Sequence, residues 1–169
     1  MRVIESINDL TSRDIIEIFL MAAKAGWCKS GEVKKQEIPA LPGYKVIYFK
    51  FGDFEVQDAY CTTPLNQKSA GFTTIWFKKI PVWTMNYGGS YPEYVIPFLK
   101  LALQETINEN KFIGGRGPFH FTHGNYPGLS YTNQLTKGQR VFSDFSGKEW
   151  IFERDCPVGS HEYWGMSLI

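Results

Sequence analysis

Gly71–Gly89 reads GFTTIWFKKIPVWTMNYGG, and Gly147–Gly165 reads GKEWIFERDCPVGSHEYWG. Placed over each other without a gap, the two stretches agree at Gly71/Gly147, Ile75/Ile151, Pro81/Pro157, Val82/Val158, Tyr87/Tyr163 and Gly89/Gly165. Average composition would give about one such identity by chance. The first copy holds two strand-like runs, FTTIWFKK and VWTMNY, joined through Ile80-Pro81, which is the pattern of a hairpin. Gly71 and Gly147 are expected to open a strand after a turn. Pro81 and Pro157 then start the next strand, where a missing N–H matters least. Under strict alternation Tyr87 and Tyr163 fall on the same strand face as the prolines. Gly89 and Gly165 permit a turn or a close backbone approach that a Cβ would block. The shared residues thus spell a hairpin. The unshared ones, Trp83 and Asn86 in the first copy and Glu162 in the second, are where function is sought.

The flanking segments follow the same order around both copies. TSRDIIEIFLMAAKAG reads as a helix, with Thr11 or Ser12 as cap, Asp14 in its first turn and Gly26 as its stop. Ile15, Ile16, Phe19, Leu20 and Ala23 fall on its apolar face. Residues 26–43 form a long polar connection, and Tyr44–Phe51 and Asp53–Tyr60 read as strands with Gly52 between them. After Gly88-Gly89 a second helix is expected from about Ile96, with Pro97 in its first turn, where proline is tolerated. Its buried face is Phe98, Leu99, Ala102, Leu103 and Ile107. FIGGRGPFHF follows, then short strands at Tyr131–Leu135, Lys148–Glu153 and Val158–Tyr163. The expectation is an α+β fold in one domain of two similar halves, about 11–89 and 90–169. Each half is a helix followed by about four antiparallel strands, with a cavity between the halves or between helix and sheet. The alternative is the same hairpin chemistry arising in two unrelated places.

The chain has 169 residues, enough to bury roughly 70% of its unfolded surface without a metal or disulfide. Aromatic residues reach 16%, which fills a β-rich core or lines a ligand cavity. A net charge of +1 argues against the basic face of a direct nucleic-acid binder. The densest basic cluster, Lys29, Lys34 and Lys35, is diluted by Glu32, Gln36 and Glu37 and reads as a solvated loop. No apolar run has the length of a membrane span, and the N-terminal MRVIESINDL lacks the apolar core of a signal sequence. Cys28, Cys61 and Cys156 are odd in number and widely spaced, which suggests reduced thiols in a cytoplasmic protein.

Taken together, GDFEVQDAY, the Gly71–Gly89 hairpin continuing to LKLAL, GGRGP and FSGKEWIF resemble a bacterial family of uncharacterised domains. The carrying pieces are Asp58-Ala59-Tyr60, Pro81 to Gly89, Arg116 to Pro118 and Gly147 to Glu149, and the resemblance spans residues 12–168. The sequence departs from that pattern at Gly165-Met166, where a second glycine pair is expected. Many members of the family sit behind a helix-turn-helix unit in transcription regulators. The resemblance therefore implies a ligand-sensing domain, here expected to lack a DNA-binding unit because residues 1–10 alone precede the first helix.

Asp58 is the most informative polar residue. It alternates with Phe54, Val56 and Tyr60, so it points to a buried face, where a carboxylate needs a partner or a shifted pKa. Arg116 in GGRGP is the candidate partner, brought close by the glycines, whose N–H groups are also placed to face an anion. Glu149 alternates with Ile151 and is expected to face inward; with Glu162 it offers a second carboxylate pair for acid–base work. Tyr60, Trp76, Trp83, Tyr87, Tyr131 and Trp150 are the aromatic stock for a cavity, and Asn86 is a polar residue placed to orient a ligand. His120 and His123 in HFTH would point to opposite faces of a strand, so no metal site is expected. No dinucleotide or phosphate-loop fingerprint is present, and no cofactor is expected.

Three functions fit. The first is a small-molecule-binding or sensing domain. The second is a hydrolase or isomerase using Asp58 or Glu149 as general base. The third is an interaction module that pairs with itself as a homodimer.

Overall fold

The computed structural model describes residues 4–28, 34–137 and 142–169. Helix α1 (Ser12–Ala25) starts on a reciprocal cap: Thr11 accepts from the Asp14 N–H and Asp14 accepts from the Thr11 N–H, which satisfies two otherwise orphaned donors. Ile15, Ile18, Phe19, Leu20, Ala22 and Ala23 form its buried face. Ile16, expected there, is only half-buried. Helix α2 (Ile96–Asn108) carries Pro97 in its first turn and buries Phe98, Leu99, Ala102, Leu103 and Ile107. No helix among the described residues is long and apolar enough to cross a membrane.

The strands are β1 (Tyr44–Phe51), β2 (Phe54–Thr62), β3 (Lys68–Phe77), β4 (Ile80–Ser90), β5 (His120–Thr122), β6 (Leu129–Lys137), β7 (Asp144–Glu153) and β8 (Cys156–Ser167). They make one antiparallel sheet in the order β1-β2-β3-β4-β8-β7-β6-β5. The strands expected in the two halves thus join in one sheet. The second hairpin turns back so that β8 pairs with β4, which removes the two edges that separate sheets would expose. Both helices and one face of the sheet share a single apolar core.

Two hairpins dominate the sheet centre, β3–β4 and β7–β8. Their turns are Lys78-Lys79, at φ 48° and 67°, and Arg154-Asp155, at φ 48° and 69°. Two successive left-handed residues are the turn whose twist matches that of paired strands. Both hairpins then carry a β-bulge. Val82 is the extra residue between the Trp76–Pro81 and Ile75–Trp83 pairs, and Val158 is the extra residue between Phe152–Pro157 and Ile151–Gly159. The shared Pro-Val is thus a bulge signature, a place where proline and a broken ladder are compatible. The bulge also reverses alternation, so Pro81 is exposed while Trp83 is buried and Tyr87 turns toward the helices. The prolines and tyrosines therefore do not share a face. Nor do Gly71 and Gly147 open strands: each lies inside one, under the ring of Tyr87 or Tyr163.

Candidate functional site

Strand register assigns a face to every predicted site residue except Arg116, which lies in a loop. Asp58 pairs with Thr73, Thr73 with Met85, and Glu149 with both Asn133 and His161. Cross-strand partners share a face, so all of these point at the helices, as do Tyr60, Tyr87, Tyr131 and Tyr163. The opposite face holds Asn86, which lies between Phe72 and Trp164, and Glu162, which pairs with Lys148 at 2.9 Å. Trp76 lies on that opposite face too, half-buried and paired with Glu55 and Pro81. Glu149 and Glu162 are thus on opposite sides of the sheet and form no acid–base pair. Trp83 belongs to the core: it is fully buried, stacks on Phe142 and donates its indole N–H to the Phe142 carbonyl at 3.2 Å.

Arg116 arrives from the loop after α2. Gly114 and Gly115 take φ values of 61° and 68°, and a Cβ on Gly115 would lie 2.8 Å from the Met85 sulfur. Only glycines let this loop lie flat on the sheet, and it seats the Arg116 guanidinium 5.4 Å from the Tyr87 ring centre. The expected partner, Asp58, is not the one Arg116 takes. Its Nε donates to Glu149 Oε2 at 3.0 Å and its Nη2 donates to Glu149 Oε1, a two-pronged buried pair. The Tyr131 hydroxyl donates to Glu149 Oε2 at 2.6 Å. The Gly117 N–H, read as a possible anion donor, is taken by the Tyr131 oxygen at 3.0 Å.

Asp58 instead accepts from Thr73 Oγ1 at 2.8 Å and from the Tyr87 hydroxyl at 3.0 Å. Burial pushes its carboxyl up to about 6, against the opposing pull of those two hydrogen bonds and of Arg116. Burial acts on Glu149 in the same direction, yet the Arg116 charge and hydrogen bonds outweigh it and hold Glu149 below the usual carboxylate range. One carboxylate is therefore locked as an anion, and the other is raised to about 6. Between them sits His161, held down to about 4 by burial and by Arg116. Its Nε2 lies 3.1 Å from Ser69 Oγ. Its Nδ1 is buried with no hydrogen-bond partner, 4.0 Å from Glu149 Oε1.

A cleft of about 1370 Å³ opens between α2, strands β1–β3 and the segment before β1. Asp58, Thr73, Tyr87, Arg116 and His161 form its polar floor, and Ile47, Met85, Ile96, Leu99 and Leu103 its apolar walls. Tyr60 stands at its side; Tyr131 and Glu149 lie behind Arg116. Sequence reasoning missed Thr73, Asn133 and His161. The signal for the first two was present, since Thr73 alternates with the buried Ile75 and Asn133 with Tyr131. It also read Lys34 and Lys35 as merely solvated, whereas both line the cleft; Lys29 lies outside the described residues. The three cysteines are free, and burial pushes the Cys28 thiol up to about 12, far from a reactive thiolate. Among the described residues no three metal-ligating side chains converge.

Neither a curated protein nor a solved structure matches the chain. A family pattern does, over residues 58–168, a shorter span than the 12–168 of the resemblance. It begins at Asp58 itself and includes Thr73, Tyr87, Arg116, Tyr131, Glu149 and His161. On that match, which covers more than half of its length, the chain belongs to the family described as a domain of unknown function (DUF5680).

Proposed function

We propose that the chain is a small-molecule-binding domain whose ligand occupies the cleft between α2 and β1–β3. One observation carries the reading: two buried charged groups, Asp58 and Arg116, reach the floor of an apolar-walled cleft without pairing to each other. A pocket of this kind, mostly apolar with a few convergent polar groups, is the usual form of a ligand site. The resemblance to domains carried behind helix-turn-helix units supports a sensing role in a bacterial cytoplasm. Thermal shift across a metabolite panel tests this. A bound ligand should raise the melting temperature of the wild type, following RT ln(1 + [L]/Kd), and not that of Leu99→Trp, which fills the cleft. A panel that stabilises both proteins equally, or neither, counts against the reading.

A second reading is favoured by one feature of Asp58. Its pKa near 6 suits a general base or acid near neutral pH, whereas Glu149 is locked by Arg116. Turnover in Asp58→Asn equal to wild type at every pH would remove it. Self-association, if it occurs, fits the open sheet face bearing Phe72, Trp76 and Trp164, and light scattering reads it directly.

We also propose that the two hairpins descend from an internal duplication. Turn dihedrals, bulge position and the tyrosine-over-glycine contact recur at the same offset in both. The polar sites correspond as well: Tyr87 donates to Asp58 and Tyr163 donates to Asn133.

A further inference from the structure

We infer that the ligand carries an anionic group, a carboxylate, phosphate or sulfonate, held at the mouth of the cleft, and that its neutral hydrogen-bonding end reaches the floor. The inference rests on the reading of the cleft as a binding site and adds the chemical class of what binds.

The mouth supplies the first observation. Lys34, Lys35, Lys45, Lys68 and Lys100 all line the cleft and all are exposed, against the single exposed carboxylate of Glu93. None of these five makes an ion pair among the described residues. Away from the cleft, Lys50, Lys78, Lys111, Lys137 and Lys148 each sit within 4 Å of a carboxylate, while Lys24, Lys79 and Arg154 make no ion pair among the described residues. A chain with a net charge of +1 thus places five unpaired cations around one opening. Like charges so arranged repel one another and are relieved by a bound anion, and a cleft with low-dielectric walls focuses their field inward. The lysines come from the segment before β1, from β1, from β3 and from α2, so no single basic run explains them.

The floor supplies the second. Arg116 is 7% exposed, uses Nε and Nη2 on Glu149 and makes no hydrogen bond through Nη1 among the described residues. His161 is 6% exposed and its Nδ1 is also unpartnered. Both residues line the cleft, and a buried nitrogen such as His161 Nδ1 ordinarily has a partner. The floor nevertheless does not attract a second full anion, because Asp58 and Glu149 already stand there against one guanidinium. It suits a neutral group, such as a hydroxyl, amide or ring nitrogen, that can both donate and accept. The apolar walls between floor and mouth fit a hydrocarbon or aromatic body.

A matched pair of fluorescent probes tests this: 1-anilinonaphthalene-8-sulfonate and neutral N-phenyl-1-naphthylamine, which share an aryl skeleton and differ by the anionic group. The wild type should bind the sulfonate at least tenfold more tightly, and the preference should shrink with salt. Lys35→Glu/Lys100→Glu, both exposed and so safe to fold, should abolish the preference while neutral-probe binding persists. Carboxylate and phosphate analogues of the probe, used as competitors, then rank the three anions. Equal affinity for both probes, with both lost in Leu99→Trp, would overturn the anionic class and leave the cleft standing. Failure of both to bind, or binding unchanged in Leu99→Trp, would overturn the cleft itself.

Discussion

Tyr87 and Tyr163 face each other across the β4–β8 pairing, and their hydroxyls turn to different acceptors, Asp58 on one side and Asn133 on the other. The two positions are geometrically matched. Asp58 lies opposite Thr73 across β2–β3, and Asn133 lies opposite Glu149 across β6–β7. Yet the chemistry is divided. On one side the carboxylate sits at the tyrosine and titrates; on the other it has moved one strand over, to Glu149, where Arg116 locks it. The side with the titrating carboxylate is the side that opens to the cleft.

Asp58 sets the first prediction. Its carboxyl is raised to about 6 in the fold, from 3.8 unperturbed, so the folded state binds more protons between those values. Stability must then fall as pH rises from about 4 to about 6. Asp58→Asn removes this falling component, on the order of 2–3 kcal/mol at 1.36 kcal/mol per unit. Urea unfolding at pH 4, 5, 6 and 7 should show a stability that rises with pH more steeply in the variant than in the wild type.

His161 sets the second, with the opposite sign. Its folded pKa is lowered to about 4 from 6.5, so the unfolded state binds more protons in that window, and stability rises with pH through it. The two residues oppose each other, and the wild type should be nearly flat between pH 5 and 6. His161→Gln should expose the falling Asp58 component in the same urea series. Glu149, held below its ordinary 4.5, adds a rising component that is largely complete by about pH 5, so the two slopes are compared between pH 5 and 6. A wild type and two variants with the same slope would contradict both assignments.

How much of this was legible depended on whether a feature was local. The α1 cap was legible because Thr11 and Asp14 lie within one turn. The bounds of β1 followed from its residues alone. The bulge at Val82 was not legible, because alternation assumes one residue per partner residue, and that single insertion placed Tyr87 on the face opposite Pro81. Alternation correctly turned Asp58 and Glu149 inward, but it assigns a face and not a neighbour. Which of the two Arg116 would take depended on how the Gly114-Gly115 loop lies across the sheet. The joining of the hairpins into one sheet rests on the β4–β8 register, which pairs residues far apart in the chain, from Trp83 with Ser167 to Ser90 with Ser160. Lys34 and Lys35 were legible as exposed, but not as exposed at the mouth of a cleft.

The Arg116–Glu149 pair yields the third prediction. Removing one member of a buried pair leaves the other charge uncompensated, which costs about 3–5 kcal/mol. Arg116→Met should show that loss as a lower urea midpoint with an unchanged m-value. Arg116→Met/Glu149→Gln removes both charges and keeps an acceptor for the Tyr131 hydroxyl, so it should regain more than half of the loss. A double variant as unstable as the sum of the singles would mean that the pair is not coupled.

The fourth prediction uses the matched glycines to separate the two sides. A Cβ on Gly71 would lie 2.6 Å from the Tyr87 Cζ and 2.7 Å from the Ala59 carbonyl oxygen. On Gly147 it would lie 2.5 Å from the Tyr163 Cζ and 2.7 Å from the Gln134 carbonyl oxygen. Because backbone as well as ring is in the way, Gly71→Ala and Gly147→Ala should each destabilise by about 1–3 kcal/mol. Their pH dependence should differ. Displacing the Tyr87 ring takes a hydrogen bond from Asp58, and that bond is one of the influences that lower its carboxyl. In Gly71→Ala the Asp58 pKa therefore rises further, and the fall in stability with pH continues above pH 6. Displacing the Tyr163 ring takes a hydrogen bond from Asn133, which does not titrate, so Gly147→Ala should shift the whole stability curve down without changing its shape. Parallel curves for the two variants would mean that Tyr87 does not set the Asp58 carboxyl.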